Sequence, residues 1–313
     1  MSIVSLPDCF SKYYQIKKVL ESPLEDAFIR SWVILAVKLN NLDPPFYISY
    51  QKPETNIIVL KVYQESYAAQ FANFHEVNAL QEGNENGIDG IPILYGTFLM
   101  RINKSEFYGI EMEYIDGDPI LPDHVQDILK YFISVCKIVQ SMNKLNWYHG
   151  DLKPEHIYFN SSKQKIAIID WGSSLNSVYD ESEEIDYCVG TRPYLAPEKP
   201  EIPLSTQCDI FSLGMILYRW MLDDELNADQ ENSNLKCYQS KYESIYPSNY
   251  YTTIKYFILN KIIPFCELDP VKQNEKYNPK LAQIIKECVD ICPEKRISLD
   301  ELIVKLENLI EEK

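Results

Sequence analysis

The stretch from Tyr148 to Asp170, YHGDLKPEHIYFNSSKQKIAIID, holds the residue types and spacing best suited to a reaction. His149, Asp151 and Lys153 stand within HGDLKP, and further on the apolar run Ile166 to Ile169 ends in Asp170-Trp171-Gly172. A turn holding a carboxylate and a lysine, then a short β-hairpin ending in a second carboxylate, suits phosphoryl transfer. One carboxylate orients a hydroxyl and accepts its proton. The lysine neutralises charge on the moving phosphoryl group, and the second carboxylate holds Mg²⁺ on a nucleotide.

Such groups need rigid elements to position them. Val125 to Leu145 reads as a helix leading straight into the loop, with Ile128, Leu129, Phe132, Val135, Ile138, Val139 and Met142 as its core stripe. Tyr14 to Leu20, Trp32 to Val37, Pro92 to Met100 and Tyr108 to Tyr114 read as strands, and Asn40 to Pro45 as a turn. Asn56 to Tyr63 is an apolar strand carrying one lysine, Lys61. The following pattern, AAQFANFHEVNALQ, is helical and carries Glu76. It places Phe71, Phe74, Val77 and Leu80 on one apolar face. Residues 82–90, EGNENGIDG, read as a loop. The tail from Ser298 to Glu312 is an amphipathic helix, with Ser298 as N-cap, Glu301 three residues on, and Leu302, Leu306 and Leu309 inward.

Bulk properties narrow the function classes. At 313 residues with 46% apolar content, the chain suits one bilobal domain or two small ones and excludes wholesale disorder. Thirty basic against forty-six acidic residues give a net charge of −16, which speaks against nucleic acid as the main partner. No apolar run approaches the roughly 20 residues needed to cross a bilayer. The start, MSIVSLPDCF, shows no secretory signal. The eight cysteines are scattered without C-x-x-C, and Cys288 with Cys292 makes a poor zinc site, so reduced thiols in a cytoplasmic protein are expected.

HGDLKP, the Asp-Trp-Gly after the hairpin, and GTRPYLAPE at 190–198 together resemble the catalytic loop, metal-binding motif and activation segment of eukaryotic-type protein kinases. The similarity covers roughly residues 14–310. It implies an α+β, bilobal protein-kinase-like fold: a β-rich N-lobe at 1–115, and a mainly helical C-lobe at 116–313 with an insert near 223–250. Lys61 and Glu76 resemble the paired lysine and glutamate that grip the ATP phosphates. Asp151 resembles the base, Lys153 its charge-neutralising neighbour, and Asp170 the metal ligand. Thr191 with Lys153 looks like the serine/threonine branch. The run from Ile110 to Gly117 resembles the hinge, with Met112 behind the adenine and the backbone of Glu113 and Ile115 pairing with the base. Asp209 in DIFSLGMIL resembles the residue that ties down the catalytic loop, and Arg296 the partner of Glu198.

The chain also departs from that family's pattern. None of its ten glycines precedes Gly83, and the three glycine positions of the phosphate lid fall on Glu21, Pro23 and Asp26. A carboxylate about 5 Å from a phosphate costs ~3 kcal/mol at an effective dielectric near 20. His156 replaces the asparagine that holds a second metal; its imidazole either serves as a donor better suited to Mn²⁺ or Zn²⁺ than to Mg²⁺, or only hydrogen-bonds within the loop. Val59, Phe28 and Tyr158 narrow the adenine pocket. Gly150 replaces an arginine, so switching by phosphorylation of the activation segment is not expected. The function implied is an ATP-dependent serine/threonine protein kinase using Mg²⁺ or Mn²⁺ on a protein substrate. The alternative is a pseudokinase that binds or regulates a partner protein with little turnover. A small-molecule kinase sharing H-G-D is disfavoured by Lys153-Pro154, GTRPYLAPE and Arg296.

Overall fold

The computed structural model describes residues 6–23, 31–39, 42–120, 122–160, 162–178, 190–198, 205–222, 254–255, 258–267 and 277–311. Asp26 of the lid, Phe28 of the expected adenine pocket, and the insert near 223–250 lie outside the described residues. The chain divides into two compact units, Met1–Gly117 with Phe159–Ser174, and Asp118–Tyr158 with Leu175–Lys313. This division assigns residues 159–174 to the first unit, which a single cut after residue 115 would not do.

The first unit is built on a six-stranded antiparallel sheet. Its strands are β1 (Tyr14–Glu21), β2 (Ser31–Lys38), β3 (Ile48–Ser49), β4 (Ile57–Gln64), β5 (Leu94–Ile102) and β6 (Ser105–Glu113), in the order β1-β2-β4-β6-β5-β3. Alternation along β4 sends Ile58, Leu60 and Val62 to one face and Val59, Lys61 and Tyr63 to the other. The first set joins Trp32, Ile34 and Ala36 of β2 with Phe10, Tyr14, Tyr95, Phe98, Met100 and Phe107 in one core. Phe10 comes from a 3-10 turn (Asp8–Lys12) before β1, and its ring lies 6.1 Å from those of both Phe98 and Phe107. Full burial of such a side chain contributes roughly 1.5–3 kcal/mol.

One carboxylate is buried in this apolar layer. Glu111 sits opposite Leu60 and is wholly shielded from solvent. It accepts hydrogen bonds from the Tyr14 hydroxyl at 2.5 Å, the Tyr47 hydroxyl at 2.7 Å and Lys38 Nζ at 3.0 Å. Lys38 also pairs with Asp43 at 2.9 Å and lies 3.8 Å above the Tyr47 ring. The buried charge is therefore matched by one cation and two hydroxyl donors, which offsets the desolvation penalty.

Helix α1 (Tyr67–Glu85) starts at Ser66, whose side chain accepts from the Ala69 N–H at 3.0 Å. Of the apolar face expected, Leu80 is buried, Phe71 and Val77 are half-buried, and Phe74 is 57% exposed; Ala69, Ala72, His75, Glu76, Ala79 and Gly83 are the other buried positions described. Small alanines let the helix lie close enough to the sheet for Glu76 to reach β4, whereas a phenylalanine there would hold it off. The helix also runs through residues 82–85, expected as loop, and the chain turns at Gly87 with φ +65°. The Asn84 side chain accepts from the Leu94 N–H at 2.7 Å, tying the last turn to β5.

The second unit is mainly helical: α2 (Val125–Asn143), α3 (Thr206–Met221), α4 (Pro279–Cys288) and α5 (Leu299–Glu311). Every residue of the expected α2 stripe is buried. Nearly all of α3 is buried too, as a helix apolar all round requires. Ser298 caps α5 by accepting from the Glu301 N–H at 3.2 Å, and Leu302 and Leu306 face inward. Arg296 forms a two-pronged pair with Glu198, at 2.5 and 2.7 Å, and donates to the Gln207 and Asp290 carbonyls at 2.7 and 2.8 Å. Short strands β7 (Trp147–Tyr148) and β10 (Leu175–Asn176) pair in this unit. Strands β8 (Ile157–Asn160) and β9 (Lys165–Ile168) pair, and one boundary between the units falls within β8, after Tyr158. Among the described residues no helix is long and apolar enough to cross a membrane.

The Glu111 cluster yields a stability prediction. Burial, and after it the Glu111 carboxylate, push the Tyr14 hydroxyl far above its ordinary value. Because the folded-state value is raised, this contribution is intact below the unfolded value of about 10 and drains away as the pH climbs beyond it. Tyr14→Phe should cost about 1.5–3 kcal/mol near neutrality and flatten the loss of stability above pH 10. Urea unfolding at pH 7 and at a series of alkaline pH values measures both. A loss within experimental error of zero would remove the hydroxyl from the account.

Candidate active site

One cluster of the expected residues lies within the first unit. Lys61 Nζ lies 2.8 Å from Glu76 Oε2 on α1 and 2.7 Å from Asp170 Oδ1, just after β9. Lys61 and Glu76 are buried, while the Asp170 side chain keeps 40% of its surface exposed. Burial acts to lower the Lys61 ammonium, but Asp170 and Glu76 more than compensate and lift it well above its ordinary value. Burial likewise raises the Glu76 carboxyl, opposed by Lys61. The lysine thus stays a cation held between two carboxylates. At these separations each pairing amounts to ~6 kcal/mol at an effective dielectric near 20, before desolvation is subtracted.

Asp170 adopts a left-handed backbone conformation, φ 62° and ψ 68°. A non-glycine residue held there stores about 1–3 kcal/mol of strain, which the surroundings must sustain. Trp171 anchors the turn: it is buried, and its indole N–H donates to the Ile168 carbonyl at 3.0 Å. Tyr63 completes this cluster, donating its hydroxyl to Glu76 Oε2 at 2.7 Å. Sequence inspection passed over Tyr63. The available signal was its two-residue offset from Lys61, which puts both side chains on one face of the strand.

The loop residues belong to the second unit. Buried Asp209 on α3 accepts the backbone N–H of His149 at 3.0 Å and of Gly150 at 3.2 Å. Gly150 has φ +79°, a conformation glycine adopts without strain. The Asp151 N–H donates to His149 Nδ1 at 3.3 Å. Lys153 Nζ reaches Asp151 Oδ2 at 3.2 Å and Thr191 Oγ1 at 2.9 Å, joining the three residues expected to act together. The other oxygen of that carboxylate, Asp151 Oδ1, is buried and has no hydrogen-bond partner among the described residues. His156 Nδ1 lies 2.9 Å from the Asp151 carbonyl oxygen. A carbonyl only accepts, so Nδ1 carries the proton and the lone pair of the neutral ring resides on Nε2.

The residues expected around adenine are placed as follows. Val59 and Met112 are paired across β4 and β6, on the same face as Lys61, with Met112 buried. The Glu113 N–H donates to the Ile93 carbonyl at 2.8 Å, and its carboxylate pairs with Lys163 at 2.7 Å. Ile115 is buried. Tyr158 lies in β8 and bridges to Pro119.

The family model of the protein kinase domain matches residues 47–305. The chain therefore belongs to the protein kinase family. It is 26% identical over 277 residues to a putative serine/threonine-protein kinase of Mycoplasma genitalium, covering 75% of this chain and 69% of that protein. A putative serine/threonine-protein kinase of Mycoplasma pneumoniae is 24% identical over 257 residues, covering 70% and 64%. Serine/threonine-protein kinase D of Synechocystis is 28% identical over 186 residues, covering 54% of this chain and 35% of its own length. The chain thus spans less than two thirds of the last two relatives.

Asp209 organises the loop through both of its oxygens, and this can be tested. Asp209→Asn retains one acceptor and presents an amide donor to the second backbone N–H. A loss of about 1–3 kcal/mol in unfolding free energy is expected. A chemical denaturation curve superimposable on that of the unaltered protein would contradict the assignment.

Proposed function

We propose that the protein transfers the γ-phosphoryl group of ATP to a serine or threonine hydroxyl of a protein substrate. One observation carries this proposal: a buried carboxylate oxygen on Asp151 without a hydrogen-bond partner among the described residues, beside a lysine on its other oxygen. Leaving such an atom unsatisfied costs about 1–3 kcal/mol and has no structural return. It suits a base awaiting a substrate hydroxyl. Asp151 would orient that hydroxyl and take its proton as the new P–O bond forms and the bond to the departing ADP breaks. Lys153, held by Thr191, would neutralise charge on the transferring group. Lys61, braced by Glu76, would hold the α- and β-phosphates. Val59, Met112 and Tyr158 would line the adenine, with the backbone of Glu113 and Ile115 pairing with its edge.

A divalent cation is implied by the family, and Asp170 and His156 are the residues proposed to hold it. Asp170 offers a partly exposed carboxylate, and His156 a lone pair on Nε2, a donor set that favours Mn²⁺ over Mg²⁺. When bound, the metal neutralises charge on the phosphate oxygens. The cytoplasm is the proposed compartment, since the described cysteines are all free thiols. A scaffold without turnover is not favoured: the grip on Lys61 and the Lys153-held base would serve no purpose in it.

ATP with Mg²⁺ or Mn²⁺ should raise the melting temperature, by an amount worth about 2.7 kcal/mol at a hundredfold excess over Kd. Asp151→Asn should keep that shift while losing on the order of 10²–10⁴-fold in phosphate transfer to a generic protein. Equal transfer by both proteins would remove Asp151 from the mechanism, and no shift with any metal would leave the scaffold in its place. Turnover should also be faster with Mn²⁺, and His156→Asn should move the preference toward Mg²⁺. An unchanged metal ratio would show that His156 is no ligand.

A further inference from the structure

We propose that Tyr63 is a positioning residue for the phosphate-gripping lysine, a role that rests on the kinase function proposed above. Its hydroxyl fixes the Glu76 carboxylate in the orientation that presents Lys61 to a nucleotide. Tyr63 and Lys61 leave the same face of β4 two residues apart. The Tyr63 hydroxyl donates at 2.7 Å to Glu76 Oε2, the same oxygen that pairs with Lys61 Nζ at 2.8 Å. The ammonium also lies 5.3 Å from the centre of the Tyr63 ring. All three side chains are buried, so no water competes for the carboxylate.

A second contact makes the hydroxyl part of a lock between three elements of the first unit. A Cβ placed on Gly172 would lie 3.0 Å from Tyr63 Oη, and 3.5 Å from both Asp170 Oδ1 and Glu76 Oε2. The hydroxyl thus fills the space that keeps the third residue of Asp170-Trp171-Gly172 without a side chain. β4, α1 and the turn after β9 meet at this one oxygen. Lys61 is at present shared between Glu76 and Asp170. Were Asp170 to hold a cation and phosphates to draw on the ammonium, Glu76 would be the carboxylate left to hold the lysine. A carboxylate with one partner rotates about its last bond, and one also held by a phenol does not. The demand on Lys61 is large here, because no glycine before Gly83 supplies a flexible phosphate lid.

The full chain is assayed as Tyr63→Phe and Gly172→Ala, singly and combined, with ATP affinity measured by calorimetry and steady-state KM and kcat by phosphate transfer. Tyr63→Phe should raise the Kd and KM for ATP about five- to tenfold while kcat at saturating ATP changes by roughly twofold or less. Gly172→Ala, whose methyl would crowd the hydroxyl and shift it by a few tenths of an ångström against Glu76, should weaken ATP in the same direction and add less in the Tyr63→Phe background. In a Lys61→Met background Tyr63→Phe should leave ATP affinity unchanged. An equal loss there, or wild-type affinity in Tyr63→Phe, would overturn the positioning role alone. A wild-type chain that binds no ATP overturns the kinase function and this role with it. Should Tyr63→Phe fail to fold, Gly172→Ala decides: weaker ATP binding at an unchanged melting temperature supports the role, and unchanged binding refutes it.

Discussion

Lys61 is a cation removed from water, and the first unit is arranged to keep it charged. An ammonium without partners in such a place would cost several kcal/mol, and the protein supplies two carboxylates within 2.8 Å. The geometry needed for this propagates outward. Glu76 reaches the sheet only if α1 lies close to it, so three of the helix's buried positions are alanines and Phe74 is turned to solvent. Asp170 reaches the lysine from a left-handed backbone, and the buried Trp171 holds that turn in place. Features that look unrelated in sequence are consequences of one ion pair.

The sheet carries a second buried charge on its other face, with a different purpose. Glu111 meets Lys38, Tyr14 and Tyr47 and has every partner it needs. The Lys61 cluster includes a carboxylate that remains partly exposed and a strained backbone. A saturated network adds rigidity, whereas backbone strain is a cost that the surrounding packing must sustain.

In the second unit the same logic is applied to backbone. Asp209 spends both oxygens on the amides of His149 and Gly150, which leaves the loop little freedom, and Lys153 then spans Asp151 and Thr191. Arg296 and Glu198 pair across nearly a hundred residues of chain, with the remaining donors of Arg296 directed to carbonyls. Removing one member of such a buried pair costs about 3–5 kcal/mol, because the other is left uncompensated.

Much of this was legible from the chain alone. Lys61, Glu76, Asp151, Lys153, Asp170, Asp209 and Arg296 were singled out through motifs that resemble those of protein kinases, while periodicity by itself placed only Lys61 in an apolar strand and Glu76 on a helix. The α2 stripe was readable from periodicity too. What the sequence by itself determined was the set of charges, their order and the elements that carry them. Tertiary structure alone decided that α1 buries three alanines and turns Phe74 to solvent, that Glu111 is buried among phenols, and that one tyrosine hydroxyl braces Glu76 over Gly172. Those outcomes depend on distances between residues far apart in the chain, and spacing along a sequence carries no measure of how closely two folded elements approach.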